Sequence, residues 1–212
     1  MIEIKNLTKK YGDKTVLDNL NLSFEKGKIT AILGESGSGK TTLLNILAGL
    51  CDFSGEVTKK SDKISVVFQK DRLIKNLTVR ENLKLINESL DVEKELEKVG
   101  VLDAIDYYPK DLSAGMARRV AIVRAITYPA DILLLDEPFI NIDLSRKFAL
   151  IESIKKDNEK TIVFVTHDIK EAVKLADRIV LLSNGRIVKD IKKVEEKTES
   201  ELFGLMMNVN NL

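Results

Sequence analysis

Apolar and polar residues alternate along this chain in rhythms that change from one region to the next. At the start, IEIKNL and NLNLSFEKGKITAIL alternate closely enough to predict antiparallel strands, the second broken by a turn at Lys26-Gly27. From Thr41 to Leu50 the spacing becomes helical, with Leu43, Leu44, Leu47 and Leu50 on a core-facing side. KISVVFQ predicts a further strand. The stretch from Thr78 to Pro129 predicts almost continuous helix, including ENLKLINESL, EKELEKV and AGMARRVAIVRAI. Unbroken apolar runs then take over: ILLL within DILLLDEP and IVFV within TIVFVTHD fit strands buried on both faces of a parallel sheet. Helices are predicted from about Leu144 to Lys156 and over IKEAVKLA, and RIVLLSNGRIVKDI predicts a hairpin turning at Asn184-Gly185. The expectation is an α/β chain forming one domain over 1–212. It has an N-terminal antiparallel β subdomain, a mainly parallel sheet core, a helical subdomain inserted over about 74–128 and a short helical tail over about 192–212.

Composition and charge narrow this picture by exclusion. A hydrophobic content of 44% over 212 residues suits a domain with a substantial core. Lys plus Arg number 34 against 33 Asp plus Glu, so no global field draws in nucleic acid or anionic lipid, and any anion must be bound locally. Cys51 is the only cysteine, which excludes an internal disulfide and a cysteine-rich zinc site and suits a reducing compartment. MIEIKNLTKK lacks the apolar stretch of a secretion signal, and no apolar run approaches the roughly 18 residues of a membrane span. The expectation is a cytoplasmic chain whose membrane role, if it has one, runs through a partner.

Candidate chemistry gathers where apolar strands end. Directly after ITAIL, the residues Gly34, Glu35, Ser36, Gly37, Ser38, Gly39, Lys40 and Thr41 fit the P-loop pattern G-x-x-x-x-G-K-[ST]. In such a loop successive N–H groups point inward at phosphate, and the following helix adds partial positive charge. Lys40 is expected on the β- and γ-phosphates and the Thr41 hydroxyl on Mg²⁺, with Thr42 in the same turn. A bare Gly/Ser turn is the competing explanation, but a chance match is on the order of one in a hundred for a chain of this size, and the strand-loop-helix setting favours phosphate. ILLL ends in Asp136 and Glu137, two carboxylates at the sheet edge where α/β proteins gather ligands. Asp136 is expected to hold Mg²⁺ and Glu137 to deprotonate an attacking water, a role worth about 10²–10⁴-fold. His167, the only histidine, follows IVFV at another strand end and is a candidate hydrogen-bond donor to a γ-phosphate. Gln69 follows ISVVF; its amide suits both Mg²⁺ and the attacking water, with a solvated strand end as the alternative. A second anion cradle stands at LSAGMARRV, where Ser113 is placed to cap a helix opening with the N–H groups of Ala114 and Gly115.

In their order along the chain, Tyr11-Gly12, the loop at 34–41, Gln69, LSAGM at 112–116, LLLDEP, Asp143 and His167 resemble the ATP-binding subunit of ABC transporters over about residues 2–191. The resemblance implies a P-loop NTPase with a RecA-like core that binds ATP and Mg²⁺. It implies too that two copies join head to tail, so that Ser113, Ala114, Gly115 and Met116 of one face the nucleotide of the other. That gives the second cradle its purpose. Tyr11 is then expected to stack on adenine beside Val16, and Asp143 to communicate between the two sites. Arg118 and Arg119 either orient the signature helix or are surface charges. The signature departs from the family's LSGGQ at Ala114 and Met116, and Ile140 stands where that family usually has Ser. Ala keeps the backbone donor, so activity survives if position 114 sits at ordinary φ.

The stretch FQKDRLIKNLTVRENL is similar to the corresponding segment of nitrate, sulfonate and taurine importer ATPases. By that resemblance Leu73, Ile74 and Leu77 form an apolar lip for a membrane permease, packing of the helical subdomain being the alternative. An extracellular or periplasmic solute-binding protein is expected in the complex, with this chain peripheral on the inner membrane face and no nucleic acid partner. A cell-division or lipoprotein-extraction motor is the alternative membrane role. A small-molecule kinase, a third possibility, leaves LSAGM, Gln69 and His167 without a purpose.

Overall fold

The computed structural model describes residues 1–156 and 159–209. Strands β1 (Ile2–Tyr11) and β2 (Lys14–Phe24) pair antiparallel, and β4 (Ser54–Lys59) adds to the other side of β1, giving a three-stranded sheet in the order β2-β1-β4. Ile2 and Ile4 turn inward while Glu3 and Lys5 turn out, as period-two alternation requires. β4 was not legible in the sequence: SGEVTK buries none of its residues and lacks an apolar alternation. β2 reaches further back than the sequence pattern, to Lys14, because KTVLD pairs with the far end of β1.

The larger sheet contains β3 (Ile29–Leu33), β5 (Ile64–Val67), β6 (Ile132–Asp136), β7 (Thr161–Thr166), β8 (Arg178–Ser183) and β9 (Arg186–Ile191), in the order β5-β6-β7-β3-β8-β9. All its pairings are parallel except β8 with β9, the predicted hairpin. Its central strands are buried on both faces, and alternate residues feed two different cores. Leu133, Leu135, Ile162 and Phe164 pack with the helical region, while Ile132, Leu134, Val163 and Val165 pack with α1 (Lys40–Leu47) and the antiparallel sheet. The unbroken apolar runs of the sequence therefore serve two layers at once.

The predicted continuous helix between 78 and 129 is instead several pieces. These are α2 (Val79–Lys84), α3 (Val92–Lys98), short 3₁₀ turns at Leu102–Ala104 and Pro109–Asp111, and α4 (Ala114–Thr127). Gly100, at φ 63, and Pro109 interrupt the helical path, and Asp91 and Ser113 cap fresh starts. These helices lie within the region expected for an inserted subdomain, but their buried side chains, among them Val79, Leu83 and Leu96, are continuous with the sheet core. Helix α1 ends at Leu47, since Gly49 takes a left-handed φ of 74. Leu50, expected in the core, is 55% exposed for that reason. Helices α5 (Leu144–Lys155), α6 (Ile169–Leu175) and α7 (Thr198–Val209) complete the fold. The tail expected over 192–212 contains α7, and its last positions, 210–212, lie outside the described residues.

Strand order is what positions the site. Strands β5, β6, β7 and β3 are spatial neighbours although their order along the chain differs. Their carboxyl ends bring Gln69, Asp136 with Glu137, His167 and Gly34 to one edge.

Candidate functional site

The loop from 34 to 39 is glycine-rich for reasons of space and of backbone angle. A Cβ on Gly34 would stand 2.2 Å from the Leu182 carbonyl oxygen of β8. Gly39 has φ 104, and a Cβ there would meet the Leu17 side chain at 2.6 Å and the Val16 oxygen at 2.9 Å. Gly39 is also the N-cap of α1 and supplies no side-chain cap, so the first-turn N–H groups of that helix lack a capping partner. The buried hydroxyl of Ser38 has no hydrogen-bond partner. An uncapped helix start beside an orphaned hydroxyl is a donor-rich pocket suited to an oxyanion.

Lys40 is buried, and its ammonium donates to the carbonyl oxygens of Gly34 at 2.7 Å and Glu35 at 2.8 Å. Burial lowers its pKa, against the opposing pull of Glu137, Asp136 and Glu35. The Thr41 hydroxyl donates to Asp136 Oδ1 at 3.2 Å. Burial raises the Asp136 pKa, the Thr41 hydrogen bond acts the other way, and the neighbouring Glu137 adds to the rise. An open cleft of about 560 Å³ runs over this loop, lined by Val16, Ser36, Gly37, Gly39, Lys40, Thr41, Thr42, Gln69 and Glu137 among others. A larger cleft, about 800 Å³, lies between the antiparallel sheet and the β8–β9 edge and contains none of the predicted site residues.

Glu137 adopts φ 46, an uncommon left-handed conformation for a residue with a side chain. Its N–H donates to the Val165 oxygen at 3.0 Å, and its Oε1 stands 3.0 Å from His167 Nδ1. The structure thus joins a carboxylate and an imidazole from two neighbouring strand ends. Gln69 lies exposed on the cleft wall.

Other predicted residues stand apart from the cleft lining. Tyr11 is 53% exposed, and the Lys9 ammonium lies 4.6 Å from the centre of its ring. Ser113 caps α4, its hydroxyl accepting from Met116 N at 3.2 Å, and both Ser113 and Ala114 are exposed. Ala114 is not among the residues at positive φ, which meets the condition set by its departure from Gly. Gly115 is the sterically constrained position: a Cβ there would lie 2.6 Å from the Asn141 oxygen. Asp143 caps α5, accepting from Ser145 Oγ at 2.7 Å and Arg146 N at 3.1 Å, which holds its pKa down at about 2.

Sequence reasoning passed over Lys14, Thr15, Asn184 and Gly185, which also line the cleft. The Asn184-Gly185 turn was legible as a hairpin, but only the fold reveals that Gly185 N donates to the Ser38 oxygen at 3.2 Å. Arg118 and Arg119, left open as orienting groups or surface charges, are both 4% exposed. Arg119 donates to the oxygens of Val99 at 2.6 Å, Gly100 at 2.8 Å and Gly115 at 3.1 Å, so it fixes the start of α4.

Residues 17–140 match the ABC transporter family model. An aliphatic sulfonates import ATP-binding protein of Bacillus cereus is 42% identical, covering 89% of this chain and 82% of the relative. One from Paracoccus denitrificans is 39% identical over 89% of this chain and 82% of its own length. Among solved structures, the dimeric post-hydrolysis state of an ATP-binding cassette bound to ADP and Pi superimposes with TM-score 0.82. It is 31% identical and covers 92% of this chain and 99% of that one. A dimeric bacterial ABC transporter cassette gives TM-score 0.81 at 32% identity, with the same coverage.

Proposed function

Because the chain belongs to the ABC transporter family, an ATP-binding and ATP-hydrolysing one, we propose that it is the motor subunit of an importer, driving a separate membrane permease. The observation that carries this reading is the convergence of Lys40, Thr41, Gln69 and Glu137 on one cleft while the signature residues 113–116, of which Ser113 and Ala114 are exposed, lie outside it. A site complete for phosphate, with a second cradle turned elsewhere, suits a nucleotide shared between two copies.

In this reading the loop N–H groups of 34–39 and the start of α1 hold the phosphates, with Lys40 on the β- and γ-phosphates. Val16, and Tyr11 from the end of β1, supply the adenine face. Glu137 takes a proton from water as the water oxygen attacks the γ-phosphorus and the bond to the β-γ bridging oxygen breaks. His167, whose Nδ1 stands 3.0 Å from Glu137 Oε1, orients that carboxylate and hydrogen-bonds the γ-phosphate. The oxygen donors Thr41 and Asp136, 3.2 Å apart, fit a hard cation, with Gln69 on the same cleft. Held by Thr41 and Asp136, Mg²⁺ would supply positive charge to offset that of the phosphates. A buried carboxylate whose pKa is raised by desolvation, as at Asp136, is one that such a countercharge relieves.

Ser113, Ala114, Gly115 and Met116 then close over the partner copy's γ-phosphate, and Asp143, at the head of α5, lies between the two sites. Loss of the γ-phosphate removes a shared ligand and opens the pair, a two-state cycle that a permease can use. The segment carrying Leu73, Ile74 and Leu77 receives that permease; Ile74 is 36% exposed. The relatives named as import ATP-binding proteins support a place on the inner membrane face beside the permease; no helix among the described residues is long and apolar enough to cross a membrane. A solute-binding protein completes the importer, and the names of the relatives make aliphatic sulfonates the first cargo class to test.

The test is hydrolysis of ATP by the purified chain with Mg²⁺, alone and with the Glu137→Gln variant. The variant is expected to lose about 10²–10⁴-fold in kcat and to form an ATP-stabilised dimer by light scattering. Hydrolysis that survives the substitution unchanged would remove Glu137 from the mechanism. Mass spectrometry of proteins co-purified from gently solubilised membranes checks the importer assignment: a small permease with a solute-binding protein supports it. A partner with a large extracytoplasmic domain and few spans contradicts it.

A further inference from the structure

Arg118, one of the two arginines after the signature, is buried at the junction of three segments. Its Nε donates to the Pro138 oxygen at 3.1 Å, and Nη2 donates to the backbone oxygens of Asp136 and, at 2.7 Å, Glu137. Nη1 donates to the Phe68 oxygen and to Asp71 Oδ1 at 3.1 Å. One planar fork therefore joins the β6 end, where Glu137 turns through its left-handed φ, to the segment that follows β5 and carries Gln69. From the same helix, Arg124 Nη2 donates to the Arg72 oxygen at 3.1 Å, so α4 grips that segment twice. A guanidinium donates within its plane to carbonyls along several of its edges at once; the single ammonium of lysine cannot reproduce that geometry.

We propose that Arg118 is a positioning residue for hydrolysis. It pins the backbone turn that aims the Glu137 carboxylate and couples that turn to the segment after β5, so that displacement of this segment is felt at the attacking water. This rests on the reading of Glu137 as the general base. None of the Arg118 hydrogen bonds described goes to residues 34–41, so its loss is expected to fall on the chemical step more than on nucleotide capture by Lys40 and the 34–39 loop.

The experiment compares Arg118→Lys and Asp71→Asn with the unaltered chain, measuring kcat for Mg-ATP and, separately, the Kd of a fluorescent ATP analogue. Arg118→Lys is expected to lower kcat about 10–100-fold with Kd within about threefold, and Asp71→Asn to lower it a few-fold. In single-turnover assays on the Glu137→Gln background, Arg118→Lys should add less than about a twofold further loss, since both lesions act through one group. The proposal is overturned by a kcat within twofold of the unaltered chain, by kcat and affinity falling together, or by an equal loss in both backgrounds. Should Arg118→Lys fail to fold, Asp71→Asn decides alone: an unchanged kcat overturns the proposal, and a selective fall in kcat supports it. If the unaltered chain hydrolyses nothing, or Glu137→Gln is without effect, it is the proposed function that fails.

Discussion

Helix α1 begins at Gly39, whose φ of 104 and crowding against β2 exclude a side chain, and nothing caps its first turn. Helix α4 begins at Ser113, whose hydroxyl accepts from Met116 N, and its opening residues stand exposed. The first start is sunk in a cleft with Lys40, Thr41 and Glu137 around it; the second has no such surroundings among the described residues. Both are anion-binding ends in principle, yet only the first is enclosed by charged and polar groups from other segments. The difference teaches that a helix N-terminus gains its meaning from what the fold packs beside it.

The sharpest way to break the comparison is Gly34→Ala. With the Leu182 carbonyl 2.2 Å from the new Cβ, β8 or the loop must move, and a loss of about 3 kcal/mol is expected in urea unfolding, with ATP affinity lost. Gly115→Ala tests the second cradle, where the obstacle is the Asn141 oxygen at 2.6 Å. About 1–3 kcal/mol of strain is expected there, with hydrolysis falling while monomer ATP affinity, measured by titration, holds. Ala114→Gly restores the residue usual for the resembled signature and should matter least for activity, within about threefold. It costs up to about 1 kcal/mol of helix stability, because position 114 already sits at ordinary φ. A larger gain in ATPase rate would mean that the Ala methyl obstructs the partner's phosphate.

The smallest effect concerns a third helix start, Asp143 on α5, which is capped by charge. Its pKa falls from 3.8 to about 2 because Ser145 and the Arg146 N–H hydrogen-bond the carboxylate. A depressed folded-state pKa contributes stability that is present above the ordinary value and is lost as pH falls through the folded one. The difference in stability between the unaltered chain and Asp143→Asn should therefore shrink between about pH 4 and pH 2, followed by circular dichroism. A difference that stays constant with pH would show that the cap acts without its charge.

Much of the site was legible because its parts are local. The loop 34–41 needs a strand before it and a helix after it, and both announce themselves in ITAIL and TTLLNILAGL. Asp136, Glu137 and His167 follow apolar runs that can only be buried strands. Arg118 was not legible, since an arginine in AGMARRVAI has no periodicity that marks it as buried, and its partners lie 18 to 50 residues away in sequence. The breaks between α2, α3 and α4 were missed because apolar spacing persists across them, while Gly100, Pro109 and the capping side chains interrupt the backbone.

By itself, then, the sequence determined the kind of chemistry: a phosphate loop, carboxylates at a strand end, a second helix start and the α/β frame to carry them. Only the tertiary structure decided which of these meet. The order β5-β6-β7-β3 puts Gln69, Glu137, His167 and Gly34 side by side, and the left-handed turn at Glu137 sets its carboxylate 3.0 Å from His167. Hydrophobic periodicity records which face of a strand is buried, whereas the neighbour of that strand is chosen by packing between distant segments.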